Sequence, residues 1–313
     1  MRDVFLKSIA GCLFAAASST VNAEASSGLF FDYRKVASEG KLTHVADIDN
    51  DTLLLNRNDG FYTSGMRYSR RYSMHDAGDL TIYEWRIGQD QYTASDIKLP
   101  PERVGPPDHP YAGWLYGGFF KERHRPDGSR YRFGVDIGCL GPCAGGEWTQ
   151  KQFHRLIDQP LPQAWSRQVK NEVGVVLHAD VAPVRWALGS SIDITPVINA
   201  RFGNIFTDAG AGVLVRAGRL NILPGQTTLH AFLRADVRAV GYNATLQGGY
   251  FSKGNPHTVE PKRFTGEAEA GIAWGGERYG ARMSIVRRTN EIRGLPDSVG
   301  SQNYLRLQFS YIP

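Results

Sequence analysis

The stretch Tyr131–Cys139, YRFGVDIGC, decides the fold because its character changes at every residue. Apolar side chains or cysteine occupy the odd positions, and charged residues or glycine occupy the even positions. Strict alternation over this length is typical of a β-strand with one apolar and one polar face. The stretch therefore predicts a strand that is apolar on one side only, and the same pattern can be followed outward in both directions.

Alternation recurs along most of the chain. Clear examples lie at residues 192–199, 229–238 and 305–311. The candidate strands are residues 43–50, 61–74, 79–90, 112–125, 129–139, 169–182, 187–202, 209–221, 226–241, 261–274, 277–290 and 302–312. An even number of strands, with both termini on one side, is typical of a bacterial outer-membrane barrel. We therefore predict an all-β, transmembrane antiparallel β-barrel of about 12 strands.

Composition agrees with a barrel that has a polar lumen. The 313 residues include 35 Gly, 15 Phe, 14 Tyr and 6 Trp, and no run of 18 or more apolar residues occurs. Any membrane span must then be a strand. A soluble β-sandwich is the competing fold, because the terminal Ile312-Pro313 departs from the aromatic ending common in such barrels.

The N-terminus has the three-part layout of a secretory signal peptide. Arg2 and Lys7 precede an apolar run, and Val21-Asn22-Ala23 supplies the small-residue end. We therefore predict a signal peptide at residues 1–23, cleaved on export to the Gram-negative outer membrane, and a barrel domain at residues 24–313. Lipidation at Cys12 is the alternative. Removing two cations and one anion from a chain of formal charge +5 leaves +4, which does not suggest nucleic acid as a partner.

Two connections are long, Tyr92–Tyr111 and Leu140–Gln168. Long loops on a rigid barrel are where binding and catalytic residues collect. Within the second loop, the sequence predicts a short helix over Trp148–Ile157 that ends before Pro160. A helix at the barrel rim can hold a catalytic side chain rigidly.

Two features of these segments suggest chemistry. Residues 47–51, DIDND, carry three carboxylates and an amide, which are the oxygen ligands of hard cations. Their spacing only partly resembles an EF-hand loop, and a solvated strand end is an equally good interpretation. His154 lies one helical turn after Lys151 and two turns after Glu147, so it is a candidate general base on the rim helix.

Cys139 and Cys143 are the only cysteines after the predicted signal peptide. A Cys-x-x-x-Cys spacing lacks the second ligand pair of a zinc site, so we predict a disulfide at the base of the loop. No Gly-x-Ser-x-Gly, Walker or His-Glu-x-x-His motif occurs. A serine hydrolase therefore has no local support.

Several motifs occur together and in the order found in a known family. They are Asn50-Asp51, residues 61–65 (FYTSG), residues 108–114 (DHPYAGW) and residues 141–147 (GPCAGGE), followed by His154. On these motifs, residues 43–175 resemble the outer-membrane lipid A 3′-O-deacylases, and the strand pattern continues the resemblance to the C-terminus. The chain departs from the family pattern at His109, where most members have Arg.

The resemblance implies a calcium-dependent site between the barrel wall and the long loops, near the outer leaflet. His154 would be the base that activates water, and calcium held by Asp51 would polarise the ester carbonyl. Asn50 and Thr63 match family positions beside the metal. Thr63 and Gly65 are candidates to offer backbone carbonyls to the ion.

The expected substrate is lipid A within lipopolysaccharide, which would lose its 3′-linked acyloxyacyl group. Lys98 is a candidate contact for a lipid A phosphate. Because one loop joins the first two strands, positions 51 and 63 should lie at the same rim. A passive porin and an outer-membrane phospholipase are the alternative functions, and the sequence leaves the oligomeric state open.

Overall fold

The computed structural model describes residues 32–51, 60–221 and 223–313. The predicted signal peptide lies outside the described residues. Within them, thirteen strands form one sheet. They are β1 (Lys41–Asn50), β2 (Phe61–Asp76), β3 (Asp79–Thr93), β4 (Ala112–His124), β5 (Arg130–Leu140), β6 (Glu172–Ala182), β7 (Trp186–Leu188), β8 (Ile192–Gly203), β9 (Phe206–Arg219), β10 (Thr228–Asn243), β11 (Phe264–Gly275), β12 (Tyr279–Arg288) and β13 (Gln302–Tyr311).

Helices are short. Residues 32–39 are helical and are called α1, and Gly146–Leu156 forms α2. Single helical turns occur at Pro101–Arg103, Pro142–Ala144, Trp165–Arg167, Ala244–Gln247 and Asp297–Gly300. No helix in the described part of the chain is long and apolar enough to cross a membrane.

The sheet closes on itself. Strands that follow one another in sequence pair antiparallel, except that β6 pairs with β8 and not with β7, and β1 pairs with β13. The result is a closed ring of 12 strands, and the predicted barrel is confirmed. The extra strand β7 pairs with β8 alone, because a turn at Gly189 (φ +70°) divides the segment predicted as one strand at 187–202. Only glycine adopts this backbone conformation at little cost.

Alternation places apolar side chains outside and charged side chains inside. On β5, Phe133 and Ile137 are exposed on the outer face, whereas Asp136 is buried and points into the lumen. Arg86 on β3 donates two hydrogen bonds to Asp136, of 2.9 and 2.5 Å. The same two-sided pattern is seen on the other strands, as expected where one face contacts lipid.

Ion pairs join nearby strands on the lumenal face. Arg306 on β13 donates to Asp49 on β1 (2.9 Å) and to Glu269 on β11 (3.2 Å). Arg132 on β5 reaches Glu84 on β3 at 3.2 Å and Asp180 on β6 at 3.6 Å. These pairs leave a lumenal cavity of about 400 Å³, lined by side chains of both charges.

The two rims of the barrel differ. One rim has short turns and both ends of the described chain, and the other has the long connections 51–60, 94–111, 141–171, 244–263 and 289–301. Two of these connections pack on each other, since Lys170 N donates to Asn255 Oδ1 (2.8 Å) and Arg167 donates to the Pro256 carbonyl (3.2 Å). The long loops are therefore concentrated at one rim.

The helix α1 packs on the outside of the wall near the short-turn rim. Tyr33 contacts Tyr83 (ring centroids 5.4 Å apart) and Trp85 (6.2 Å), both of which point away from the lumen. Trp85 Nε1 donates to the Tyr33 hydroxyl at 2.9 Å. Such amphipathic rings are typical of the aromatic girdle at a membrane interface.

The outer face of β11 provides a test of membrane depth. Ala270 lies midway along the strand and Phe264 begins it, and both face outward. We expect Ala270→Arg to lower the free energy of unfolding by about 2–4 kcal/mol and Phe264→Arg by about 0–1 kcal/mol, because a cation is costly only near the bilayer centre. Reversible urea unfolding in lipid vesicles measures both. Equal effects would contradict a membrane-spanning β11.

Candidate functional site

Near the long-loop rim, the outer face of the wall changes from apolar to polar. Trp85 and Ile87 are exposed outward-facing side chains of β3, and Gln89, Gln91 and Thr93 continue the same row. Gln91 and Thr93 are buried although they point away from the lumen. Part of the protein must therefore cover the wall from outside.

The covering element is α2 with the turn that precedes it. Gly113 faces outward on β4, and a Cβ built there would lie 3.1 Å from Ala144 Cβ and 3.5 Å from Gly146 Cα. Gln89 Nε2 donates to the Ala144 carbonyl at 2.6 Å. The start of α2 can approach the wall this closely because both contact positions are glycine.

Local sequence explains where α2 begins. Gly145, in the left-handed region (φ +68°), ends the turn Pro142–Ala144 and caps the helix, and Thr149 Oγ1 donates to its carbonyl at 3.2 Å. The helix therefore begins at Gly146, two residues before the predicted start. Cys139 and Cys143 form a disulfide with Cα atoms 6.0 Å apart, which joins β5 to this turn.

The buried face of α2 is polar. Gly146, Gln150 and His154 are its buried residues, four positions apart, and so share one side of the helix. Gln150 Oε1 accepts a hydrogen bond from Trp165 Nε1 at 2.8 Å. Sequence analysis missed Gln150, although its spacing from His154 could have indicated a shared face.

The contact of His154 with Pro160 indicates the tautomer of its imidazole. The side chain is only 4% exposed, and Nδ1 lies 2.6 Å from the Pro160 carbonyl oxygen. A carbonyl can only accept, so Nδ1 carries the proton and Nε2 is the basic nitrogen. The Pro160 contact also fixes the orientation of the ring.

Asn50 and Thr63 reach the outer face at the same rim. Asn50 is the last residue of β1, is buried, and pairs with Ser64. Thr63 precedes Ser64 and lies at a shift of register between β2 and β3, where its Oγ1 is 2.7 Å from Thr93 Oγ1. The polar row at this rim therefore includes residues of β1, β2 and β3.

Asp51 lies at the edge of this group. It is buried, and its Oδ2 accepts a hydrogen bond from Gly60 N at 3.0 Å. This contact holds the two ends of the first long connection together beside Asn50 and Thr63. The prediction that positions 51 and 63 share a rim is confirmed.

The carboxylates of residues 47–51 do not form one cluster. Asp47 and Asp49 point into the lumen, where Gln308 Nε2 donates to Asp47 at 2.6 Å and Arg306 pairs with Asp49. Asn50 points to the opposite side because strand side chains alternate. The interpretation of all these residues as one cation site is wrong.

Gly65 and Lys98 stand apart from the polar row. A Cβ at Gly65 would collide with the Tyr62 hydroxyl in the lumen, which explains why this position is glycine. Lys98 is exposed on the 94–111 connection. Its neighbour Ile97 accepts a hydrogen bond from Gln163 N at 2.9 Å, which joins that connection to the segment after α2. Metal binding by Gly65 and phosphate binding by Lys98 stay predictions.

The oxygen atoms at the rim suit a hard cation. Within residues 32–51, 60–221 and 223–313, no three His, Cys, Asp or Glu side chains converge on a metal position. The predicted ligands at this rim are one carboxylate (Asp51), the amide oxygen of Asn50 and the hydroxyl of Thr63. An all-oxygen set fits calcium or magnesium better than zinc, which prefers nitrogen and sulfur.

A pair of buried histidines lies under the loops. His109 is 1% exposed and stacks on Tyr92, with ring centroids 5.5 Å apart and planes 8° from parallel. Burial, with a smaller contribution from nearby His257, lowers the pKa of His109 to about 4. Burial also lowers the pKa of His257 itself. The two residues come from different connections, so the buried imidazoles lie where these two connections approach each other.

Comparison with known proteins identifies the family. A profile of the family described as outer membrane protein LpxR matches residues 9–311. The chain belongs to this family. Its fold is similar to that of LpxR from Salmonella typhimurium, with a TM-score of 0.73, 23% identity, and coverage of 87% of this chain and 100% of that chain.

Other barrels are more distant. The β domain of the Bordetella autotransporter BrkA gives a TM-score of 0.48 at 11% identity, covering 87% of this chain and 98% of that chain. The KdgM porin gives a TM-score of 0.37 at 5% identity, covering 86% of this chain and 98% of that chain. No curated protein sequence matches the chain. Family membership thus rests on the profile match, and the similarity to the structure of Salmonella LpxR supports the fold.

Close packing of α2 on the wall can be tested at Gly113. We expect Gly113→Leu to displace α2 and to speed tryptic cleavage after Lys151 and Arg155. Gly117→Leu is the control, because Gly117 faces outward on the same strand and a Cβ built there would have the Arg86 carbonyl oxygen, 3.8 Å away, as its nearest neighbour. Unchanged cleavage in the Gly113 variant would contradict the contact.

Buried His109 predicts a pH dependence of stability. In the unfolded chain His109 is protonated below about pH 6.5, whereas in the folded protein it stays neutral until about pH 4. The free energy of unfolding therefore decreases as the pH falls from 6.5 to 4. We expect wild type to lose up to roughly 3 kcal/mol more than His109→Gln between pH 7 and pH 4. Urea unfolding at several pH values measures the difference. Equal losses would show that His109 is protonated in the folded protein.

Proposed function

We propose that this protein is a calcium-dependent esterase that removes the 3′-linked acyloxyacyl group of lipid A in the outer membrane. The observation that carries the proposal is that His154, with Nε2 as its basic nitrogen, lies on the buried face of α2, the helix whose first residue packs on the outer wall. A lipid can reach an outer-wall site by lateral diffusion within its leaflet. Membership of an outer-membrane family supports the location and the substrate class.

His154 would act as the general base. Nε2 accepts a proton from water while the water oxygen attacks the ester carbonyl carbon. When the tetrahedral intermediate collapses, the C–O bond to the sugar breaks, and the imidazolium returns its proton to the departing alkoxide. The Pro160 carbonyl holds Nδ1–H throughout and so keeps Nε2 directed at the reacting water.

The oxygen ligands of the rim would hold the cation. Asp51 supplies the only negative charge of the set, and Asn50 and Thr63 would bind or orient as neutral oxygen donors beside it. Backbone carbonyls of Thr63 and Gly65 remain candidate ligands. Calcium, when bound, supplies positive charge that polarises the ester carbonyl and stabilises the oxyanion. Lys98, exposed at the same rim, would contact a phosphate of the substrate.

The lumen supports this assignment over a passive porin. Along the inner wall, Arg306 pairs with carboxylates on β1 and β11, and Arg132 pairs with carboxylates on β3 and β6. A passive porin needs a wide aqueous path, whereas here ion-paired side chains take up part of the interior and line a cavity of about 400 Å³. The residues proposed to carry the chemistry come instead from the outer face of the wall and from the long loops.

The role of His154 is tested by substitution. We expect His154→Ala to lower the deacylation rate by roughly 10² to 10⁴ while the barrel stays folded, because a positioned base contributes about this much. Wild-type activity should also fall in acid, since imidazolium cannot accept a proton. His75→Ala, at an exposed turn on the opposite rim, is the control. Mass spectrometry of lipid A in detergent micelles reports the product, and a His154→Ala enzyme as fast as wild type would rule out this mechanism.

The role of Asp51 is tested with the metal. We expect wild type to lose activity in EDTA and regain it with calcium, and Asp51→Asn to be inactive under both conditions because the charge that holds the ion is gone. Asp76→Asn, at the opposite rim, should behave as wild type. Full activity of wild type in EDTA would show that no divalent cation takes part.

A further inference from the structure

The amphipathicity of α2 is inverted relative to a helix of a soluble protein. A soluble helix buries its apolar side chains and exposes its polar ones. Here the buried side chains are Gln150 and His154, whereas Trp148 is 69% exposed, Leu156 is 82% exposed, and Phe153 is also exposed. A cluster of exposed apolar side chains marks a surface that contacts another apolar phase.

The exposed side of α2 continues the lipid-facing surface of the barrel. Val173 begins the outer row of β6 opposite Cys139 and is 73% exposed. The chain runs from Cys139 through the turn Pro142–Ala144 into α2, whose start packs on outward-facing Gly113. Because α2 lies on the outer wall at the end of this apolar belt, its exposed side faces the membrane interface.

Two cations flank the apolar side chains. Lys151 and Arg155 follow Trp148 at i+3 and i+7 and therefore lie on the same side of the helix. They line a surface recess of about 370 Å³ together with Trp148, Glu147 and Gln168. Lys151 Nζ donates to Glu147 at 2.6 Å, so the recess holds two cations and one carboxylate. Aromatic and cationic side chains in this combination suit the headgroup region of an anionic leaflet.

We propose that α2 is an interfacial helix that docks on phosphate-bearing lipids of the outer leaflet. Trp148, Phe153 and Leu156 insert among the acyl chains, and Lys151 and Arg155 bind the lipid phosphate. The choice of a phosphorylated lipid rests on the proposed function, whereas the surface is defined by exposure and charge alone. Docking would hold the buried face of α2, with His154, at the depth where a lipid ester meets water.

Insertion of Trp148 can be measured without any enzymatic activity. The barrel is reconstituted in vesicles containing lipids brominated on the acyl chains, and the emission lost in Trp148→Phe is assigned to Trp148. We expect brominated lipid to quench this emission strongly and aqueous iodide to quench it weakly. Trp165→Phe is the control, because Trp165 is buried under the loops and neither quencher should reach it. Strong quenching by iodide with none by brominated lipid would overturn the proposal.

Phosphate binding is measured by titrating the folded barrel in detergent with lipid A in EDTA, which stops the proposed reaction. We expect the double variant Lys151→Gln/Arg155→Gln to bind bisphosphorylated lipid A roughly tenfold to thirtyfold more weakly than wild type. Affinity for dephosphorylated lipid A should not change. The matched control is Lys253→Gln/Arg293→Gln, which removes two exposed cations from other loops of the same rim.

The binding result and the proposed function can fail separately. Equal affinity of the Lys151/Arg155 variant and wild type would overturn the phosphate contact, even in an enzyme that deacylates lipid A. Weaker binding by that variant alone would support the contact, even if no deacylation is found.

Discussion

Closure of the barrel by β6 and β8 is the constraint on which the rest of the structure depends. Hydrocarbon offers no hydrogen-bond partner to a peptide group, so a sheet in the bilayer must have no edge. The pairing of β6 with β8 provides hydrogen-bond partners for the last two strand edges of the ring. It runs from Val176 opposite Gly203 to Val181 opposite Ile198. Closure also assigns every strand residue either to lipid or to the lumen, because side chains alternate.

Charged side chains of the strands lie in the lumen, because it would be costly for them to face lipid. Asp193 is fully buried and is paired with Arg216 and Arg185, at 2.6 and 2.9 Å. A buried carboxylate without such partners would carry a large desolvation cost. With the interior occupied by ion pairs, residues able to perform chemistry on a lipid are left to the outer wall and the long loops.

Polar residues on the outer wall must be covered by another part of the protein. Gln91, Thr93 and Asn50 occupy lipid-facing positions and would be poorly solvated by acyl chains. The segment containing α2 packs on this side of the wall at Gly113 and Gln89, and the buried side chains of the helix, Gln150 and His154, are polar. Its opposite face must then contact the membrane interface, which accounts for the apolar side chains exposed there.

By itself, the sequence determined the strand pattern, the barrel, the long loops and the rim helix, because alternation and turn residues are local properties of the chain. Motif order also singled out Asn50, Asp51, Thr63 and His154. Only the tertiary structure decided that Asp49 turns inward while Asn50 turns outward, and that α2 covers the outer wall. Those outcomes depend on strand register and on contacts between distant residues, which no local pattern encodes.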